Sequence, residues 1–376
     1  ALVMVISGIF QDVVLASLTS TFTERDSTSR PGTVAPEATE RSGSPDSTVA
    51  WENLGFEGRT FVTGGPSVQE IADVTGEEAL MPIRVYAGLA GHEDSVGAVD
   101  LEEMAAEVVA ELDRTNAWDR EVLVVVTTTG TGWVDPLAVE SLEYVTGGDS
   151  AIAAMQYSVN PSWVTLVLDL EQPARAGTAL FNAVQSRWEE LPEESRPQLV
   201  TFGAPLGSFG SQSAFGSLED FTARADGAVW AGTPRFTPLW SDITAARDPG
   251  SPEIHPVLEE GAVVRWGSAN GGDQLFEELG PSDTPRVAYL QHPSDGVVWW
   301  WWDTAWHKDD WFSEPHGQDV LPGIRWWPAI TGLQLLGDMF VAGSNDVPLG
   351  YGHNYGAGYV DAWAWVTQAP GWDAES

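Results

Sequence analysis

The feature that most constrains this chain is an alternation that sets in after Pro82: short β-branched apolar runs separated by longer stretches of helical periodicity. Residues 121–127, Glu-Val-Leu-Val-Val-Val-Thr, show it most plainly. A run without polar alternation suits a strand covered on both faces, the environment of a parallel sheet flanked by helices. Similar strand signals occur at 83–89, 151–157, 198–202, 228–230, 263–266 and 286–291. Between them, residues 100–114 place Leu101, Met104, Ala105, Val108, Val109 and Leu112 on one helical face, with Asp100 and Glu103 spaced as a capping box. Gly177, Leu180, Phe181, Val184, Trp188 and Leu191 repeat that period over 174–191, and further helices are predicted at about 136–144, 324–340 and 360–367. Strands alternating with helices predict an α/β chain with a doubly wound, mostly parallel sheet.

Composition narrows the functional classes. With 17 basic and 55 acidic side chains among 376 residues, the formal net charge is −38. Such a surface repels phosphates, so nucleic acid is excluded as a partner. An apolar content of 43% with 19 Trp excludes a wholly disordered chain. There is no cysteine, hence no disulfide and no thiolate chemistry. Lys308 is the only lysine; high-salt solubility and a GC-rich genome both produce that bias, and neither bears on chemistry.

The first twenty residues are largely apolar, but their uncharged run is too short to span a bilayer and lacks a basic lead. They are expected to be the end of a membrane helix, with a core or amphipathic helix as the alternative. Residues 21–48, rich in Ser, Thr, Pro, Glu and Gly, are expected to form a flexible linker ahead of one domain at 49–376.

In a doubly wound sheet, ligands sit beyond the carboxyl ends of the strands. Four loops there are unusual: Thr-Thr-Thr-Gly-Thr-Gly-Trp at 127–133, Phe-Gly-Ala-Pro-Leu-Gly-Ser-Phe-Gly at 202–210, Gln-His-Pro-Ser-Asp-Gly-Val-Val at 291–298, and Gly-Tyr-Gly-His-Asn-Tyr-Gly at 350–356. The first can turn N–H groups toward an oxyanion or can simply be a tight connection. The six histidines show no metal-ligand spacing, and no dinucleotide or phosphate loop is present, so no metal and no cofactor is expected. Eight tryptophans follow Asp295: Trp299, Trp300, Trp301, Trp302, Trp306, Trp311, Trp326 and Trp327. Four consecutive rings cannot all face one core, so some are expected at the surface. They suit a membrane-interface belt, the wall of an acyl pocket, a sugar platform or ordinary packing.

A Gly-x-x-x-Gly turn, a later Asp and a final His repeat the chain order nucleophile, acid, base of the α/β-hydrolases. Over about residues 51–372 the sequence resembles an actinobacterial family of membrane-associated α/β-hydrolases, whose hydrolase domain follows an N-terminal membrane domain. The likeness is strongest at 125–133, 202–210, 290–298 and 352–356. It implies an α/β-hydrolase fold with a helical, Trp-rich insertion between the Asp and His loops. It assigns Asp295 as triad acid and His353 as base, with Leu206, Thr129, Gly130 and Thr131 on the oxyanion side. Trp133, Trp299 and Trp300 are candidates for the substrate pocket. The expected partner is a hydrophobic acyl substrate or lipid, at a membrane reached through an N-terminal segment.

One position departs from the family pattern. Pro205 stands where the nucleophilic serine belongs, at the centre of Gly203-x-x-x-Gly207. Proline has no nucleophilic atom, and its fixed φ cannot adopt the strained conformation of a nucleophile elbow, so a reshaped turn is expected. Ser208 is the nearest substitute, but it lies one helical turn on, about 5 Å away, where reaction geometry tolerates about 1 Å. Three outcomes stay open: loss of acyl-enzyme chemistry, replacement by Ser208 or another hydroxyl, and direct activation of water by Asp295 and His353. The function expected is an ester- or lipid-directed hydrolase or acyltransferase scaffold with a degenerate elbow; the alternative is an inactive protein that binds a lipid or a partner.

Overall fold

Seven strands form where the apolar runs predict them: β1 (Ile83–Ala87), β2 (Val122–Thr127), β3 (Ser150–Met155), β4 (Gln198–Gly203), β5 (Gly227–Ala231), β6 (Val264–Gly267) and β7 (Arg286–Leu290). The computed structural model describes residues 19–92, 99–268, 275, 276, 279–317, 319–342 and 347–372. Among these the strands build one sheet in the order β1-β3-β2-β4-β5-β7-β6, with every pairing parallel.

Alternation along each strand explains why the runs are apolar throughout. Val122, Val124 and Val126 pack into one layer with Val139, Leu142, Trp363 and Val366, from the helices Pro136–Val145 and Tyr359–Thr367. Leu123 and Val125 point the other way, onto Met104, Val108, Leu180 and Val184 of the helices Leu101–Arg114 and Glu171–Glu189. Both faces are covered, as a doubly wound fold requires.

Only half of the predicted capping box forms. The Asp100 carboxylate accepts from the Glu103 N–H at 2.9 Å, while the Asp100 N–H donates to the His92 carbonyl. The helix predicted from 324 begins at Ile330. Pro328 disfavours helical backbone in the residue before it, and Ala329 turns to a left-handed φ of 61°. Between Asp295 and His353 lies the predicted insertion, made of the short helical turns Gly296–Trp299, Trp302–Ala305 and Asp310–Phe312 and the helix Ile330–Ala342. It is tied to the body by Arg235, paired with Asp303 and Asp309, and by Arg247, paired with Asp310 and Glu314. Its tryptophans divide as four consecutive rings must: Trp299 and Trp311 are buried, whereas Trp302, Trp306 and Trp327 are exposed.

Residues 21–48 are not a detached linker. Residues 19–26 are helical, and the segment around residue 41 runs along β1: the Arg84 N–H donates to the Glu40 carbonyl and the Ser42 N–H to the Arg84 carbonyl. The buried Glu111 carboxylate then accepts from Ser42, Ser47 and both donors of Thr48. These small hydroxyl residues look like linker composition, yet they satisfy a buried charge. Residues 1–18, which hold most of the expected membrane-helix end, lie outside the described residues. No helix among the described residues is long and apolar enough to cross a membrane.

A second buried charge locks β1 to the neighbouring helix. Arg84 makes two parallel 2.7 Å bonds to Glu143, and its third nitrogen donates to the Phe61 carbonyl. Removing one partner strands the other ion in the interior. Glu143→Ala is therefore expected to lower the free energy of unfolding by about 3–5 kcal/mol, as measured by chemical denaturation; a loss below about 1 kcal/mol would be surface-like and would contradict it.

Candidate active site

Because all seven strands run parallel, their carboxyl ends share one edge, and the loops after β2, β4 and β7 meet there. Asp295 follows β7 and caps the Gly296–Trp299 turn, its Oδ1 accepting from the Val297 N–H at 2.9 Å. Its Oδ2 accepts from His353 Nδ1 at 2.9 Å and from the Tyr355 hydroxyl at 2.6 Å. The carboxylate is completely buried, while 23% of the His353 side chain is exposed. The predicted acid and base are thus brought together, although they lie far apart in sequence.

The His loop is stitched to the β7 loop at further points. The Gly352 N–H donates to Ser294 Oγ, and His292 Nδ1 donates to the Gly352 carbonyl. Gly352 has a φ of +50°, which glycine adopts without strain. The His292 ring stacks on Tyr355 at 4.3 Å between centroids.

Charge follows this geometry. Burial alone opposes ionisation of Asp295, but the His353 charge and the bonds from His353, Tyr355 and Val297 outweigh it and lower its pKa. Burial likewise opposes a charge on His353, yet Asp295 and, further off, Asp135 raise its pKa above the ordinary value. Asp135 caps the helix Pro136–Val145 and accepts from the Tyr359 hydroxyl at 2.8 Å. Burial lowers the pKa of His292, which favours its neutral form.

His353 opens into a pocket of about 370 Å³ whose wall includes Pro205, Leu206, Thr129 and Trp300. Ser162, Trp163, Phe236 and Met339 complete much of the remainder. The turn after β4 is unstrained: Ala204 is extended, at φ −106° and ψ 152°, and Pro205 is the first residue of the helix Pro205–Gln212. The expected reshaping is therefore a relaxation to an ordinary helix start with proline at its favoured position. The two glycines still hold the turn tight. A Cβ on Gly203 would lie 2.4 Å from the Gly207 carbonyl group, and one on Gly207 would lie 2.2 Å from the Thr127 carbonyl oxygen.

Several predicted residues are placed differently from expectation. Ser208 is fully buried and shares hydrogen bonds with Thr233 at 2.6 Å and Gln212 at 2.9 Å, away from the pocket lining. The N–H groups of Thr129 and Gly130 are already committed, to the Trp133 carbonyl and the Tyr157 hydroxyl. Thr129 Oγ1 donates to the Ala204 carbonyl, and Thr131 does not line the pocket. Leu206 remains, because the second residue of a helix has an N–H with no intrahelical acceptor. Of the three pocket tryptophans only Trp300 lines it; Trp299 faces a separate cavity, and Trp133 packs against the layer containing Val126.

Tyr355, Asp135 and Ser162 were not read from the sequence as site residues. Tyr355 stands two residues after His353, inside the 350–356 loop already singled out, and Asp135 lies two residues beyond the end of the 127–133 loop; Ser162 carries no local signal.

The matching family models agree with this architecture. One, described as "Alpha/beta-hydrolase family", matches residues 83–376. This chain belongs to the α/β-hydrolase family. A second, "Alpha/beta-hydrolase family N-terminus", matches residues 1–66. No curated protein matches the chain. Solved structures similar to it include a Trichoderma reesei cutinase in complex with a C11Y4 phosphonate inhibitor, at 14% identity and a TM-score of 0.32, covering 72% of this chain and 88% of the cutinase. An acetylxylan esterase is similar at 14% identity and a TM-score of 0.28, covering 48% of this chain and 86% of the esterase. At such distances neither informs the chemistry of this pocket.

Replacing Asp295 by Asn should move the His353 pKa, followed by NMR, from above the ordinary value of about 6.5 to below it, because burial then dominates. Persistence above that value would assign the shift to Asp135. The linked stability has two limits. The raised His353 pKa contributes stability that is full below about 6.5 and lost as pH rises through the folded value. The lowered Asp295 pKa contributes stability above about 3.9, lost as pH falls through its folded value.

Proposed function

We propose that this α/β-hydrolase-family protein binds a hydrophobic acyl ligand, an ester or lipid, in the His353 pocket and does not form a serine acyl-enzyme. One observation carries this reading: Pro205 and His353 line the same pocket, with Pro205 at the nucleophile position, while Ser208 is buried against Thr233. The acid–base half of a triad is assembled and the attacking group is missing. The remaining wall suits an acyl chain, since Trp163, Leu166, Phe236, Trp300 and Met339 contribute apolar surface.

Ser162 favours a second reading, because this hydroxyl-bearing residue lines the same pocket. There its hydroxyl would attack the ester carbonyl and become acylated, with His353 taking its proton and passing it to the departing alcohol as the acyl C–O bond breaks, and Leu206 N–H facing the oxyanion. We also propose that the domain works at a membrane, supported by the apolar residues at 1–18 and by the exposed rings of Trp302, Trp306 and Trp327.

A fluorophosphonate probe with intact-mass readout tests the main reading. The protein is expected to show no adduct while binding a fluorescent acyl ester, and Pro205→Ser is expected to introduce an adduct that disappears again in the His353→Ala background. An adduct on the unmodified chain, mapped to Ser162 and dependent on His353, would replace binding with hydrolysis. Failure of Pro205→Ser to label in a folded protein would contradict the assignment of position 205.

A further inference from the structure

The turn that follows Asp295 serves two cavities. Val297 and Trp300 line the His353 pocket, whereas Gly296 and Trp299 line a separate cavity of about 1180 Å³. The helix Ile330–Ala342 is shared in the same way, with Met339 at the first and Leu335 at the second. The second cavity exceeds the roughly 300–1,000 Å³ usual for small-molecule sites.

Its walls and rim are apolar where a folded protein has reason to cover them. Trp299, Trp311 and Leu335 form buried wall. Leu321, Trp327 and Ile330 also line it and are 81%, 58% and 55% exposed. Leaving such side chains contiguous and open to water forgoes hydrophobic free energy that a ligand could recover.

Charge supplies the second observation. Arg325 lines this cavity. Arg84, Arg114, Arg187, Arg224, Arg235 and Arg247 each pair with a carboxylate. Arg41, Arg59, Arg196, Arg265 and Arg286 bond instead to backbone carbonyls, and Arg30 lies over the Phe56 ring; among the described residues Arg325, like Arg175, has neither such a partner nor an acidic group within ion-pair distance, although the chain holds 55 acids against 17 bases. A guanidinium left uncommitted in so acidic a protein, beside an apolar cavity, is matched to an anionic head on an apolar body. The remaining charged groups facing the cavity are Asp319, which accepts from the Ser294 N–H at 3.1 Å, and Asp338. Two carboxylates near one arginine favour a singly charged head over a phosphate dianion.

We propose that this cavity is a binding site for a long-chain fatty carboxylate, its alkyl chain against Trp299, Trp311 and Leu335 and its carboxylate on Arg325. The site is separate from the His353 pocket and does not rest on that pocket binding or turning over an acyl ligand.

Calorimetric titration of the whole chain with saturated fatty acids below their micellar concentrations tests it. One equivalent is expected to bind, tightening roughly fourfold per added methylene until the cavity is filled. Arg325→Gln, at an exposed position, is expected to weaken palmitate about tenfold and to leave hexadecanol unchanged. Leu335→Trp, which intrudes on the buried wall, is expected to weaken binding about tenfold, while Leu206→Trp, which narrows the His353 pocket, leaves it intact. Equal affinity of Arg325→Gln for palmitate would overturn the proposal. So would loss of binding in Leu206→Trp, because the ligand would then occupy the His353 pocket. If Leu335→Trp does not fold, as judged by circular dichroism, the comparison of palmitate with hexadecanol across Arg325→Gln decides.

Discussion

A fully buried carboxylate organises the carboxyl edge of this sheet. Asp295 is tolerable in the interior only because three donors converge on it: the Val297 N–H, His353 Nδ1 and the Tyr355 hydroxyl. Each donor fixes a different piece of chain. Val297 begins the Trp-rich insertion, while His353 and Tyr355 belong to the loop that precedes the last helix. Compensating one charge therefore fixes His353, the insertion and the C-terminal helix relative to β7. Arg84 with Glu143, and Glu111 with its ring of hydroxyls, apply the same rule around β1, where they hold the N-terminal segment against the sheet.

Against that scaffold, Pro205 starts the helix after β4 and preserves the shape around it. Gly203 and Gly207 allow strand and helix to approach where any Cβ would collide, so the turn keeps its close packing. Proline at the first helical position needs no strained φ and no N–H. Proline offers no nucleophilic atom there, and the pocket it lines holds His353, bonded to Asp295, among apolar walls. The insertion then divides its residues between this pocket and a larger cavity, so one short turn lines two cavities.

Much of the fold was legible because its signals are local. Residues 122–126 are apolar without alternation, which only two-sided coverage explains, and the spacing of Leu101, Met104, Val108 and Leu112 marks one helical face. The short helices Ser162–Leu168, Leu218–Arg224 and Pro238–Ala245 were missed, since seven or eight residues give too few periods to register. The start of the helix at Ile330 was misjudged although Pro328 argued against an earlier one. Residues 40–48 read as linker because Ser and Thr are linker-like in composition, whereas here they are hydrogen-bond partners of Glu111.

The sequence by itself determined the α/β alternation, the order of a glycine turn, an Asp and a His, and the absence of a serine at 205. These are properties of residue type and spacing, which no packing can change. Tertiary structure decided which groups meet. It brought Tyr355 onto the oxygen that His353 uses, and it committed the N–H groups of Thr129 and Gly130 elsewhere. It also turned Ser208 toward Thr233, and it left Arg325 beside a cavity without an ion-pair partner of its own. Each of these depends on side-chain direction at a loop or helix start, where neighbours distant in sequence supply or withhold a hydrogen-bond partner. That competition for partners is settled only when the sheet edge is assembled.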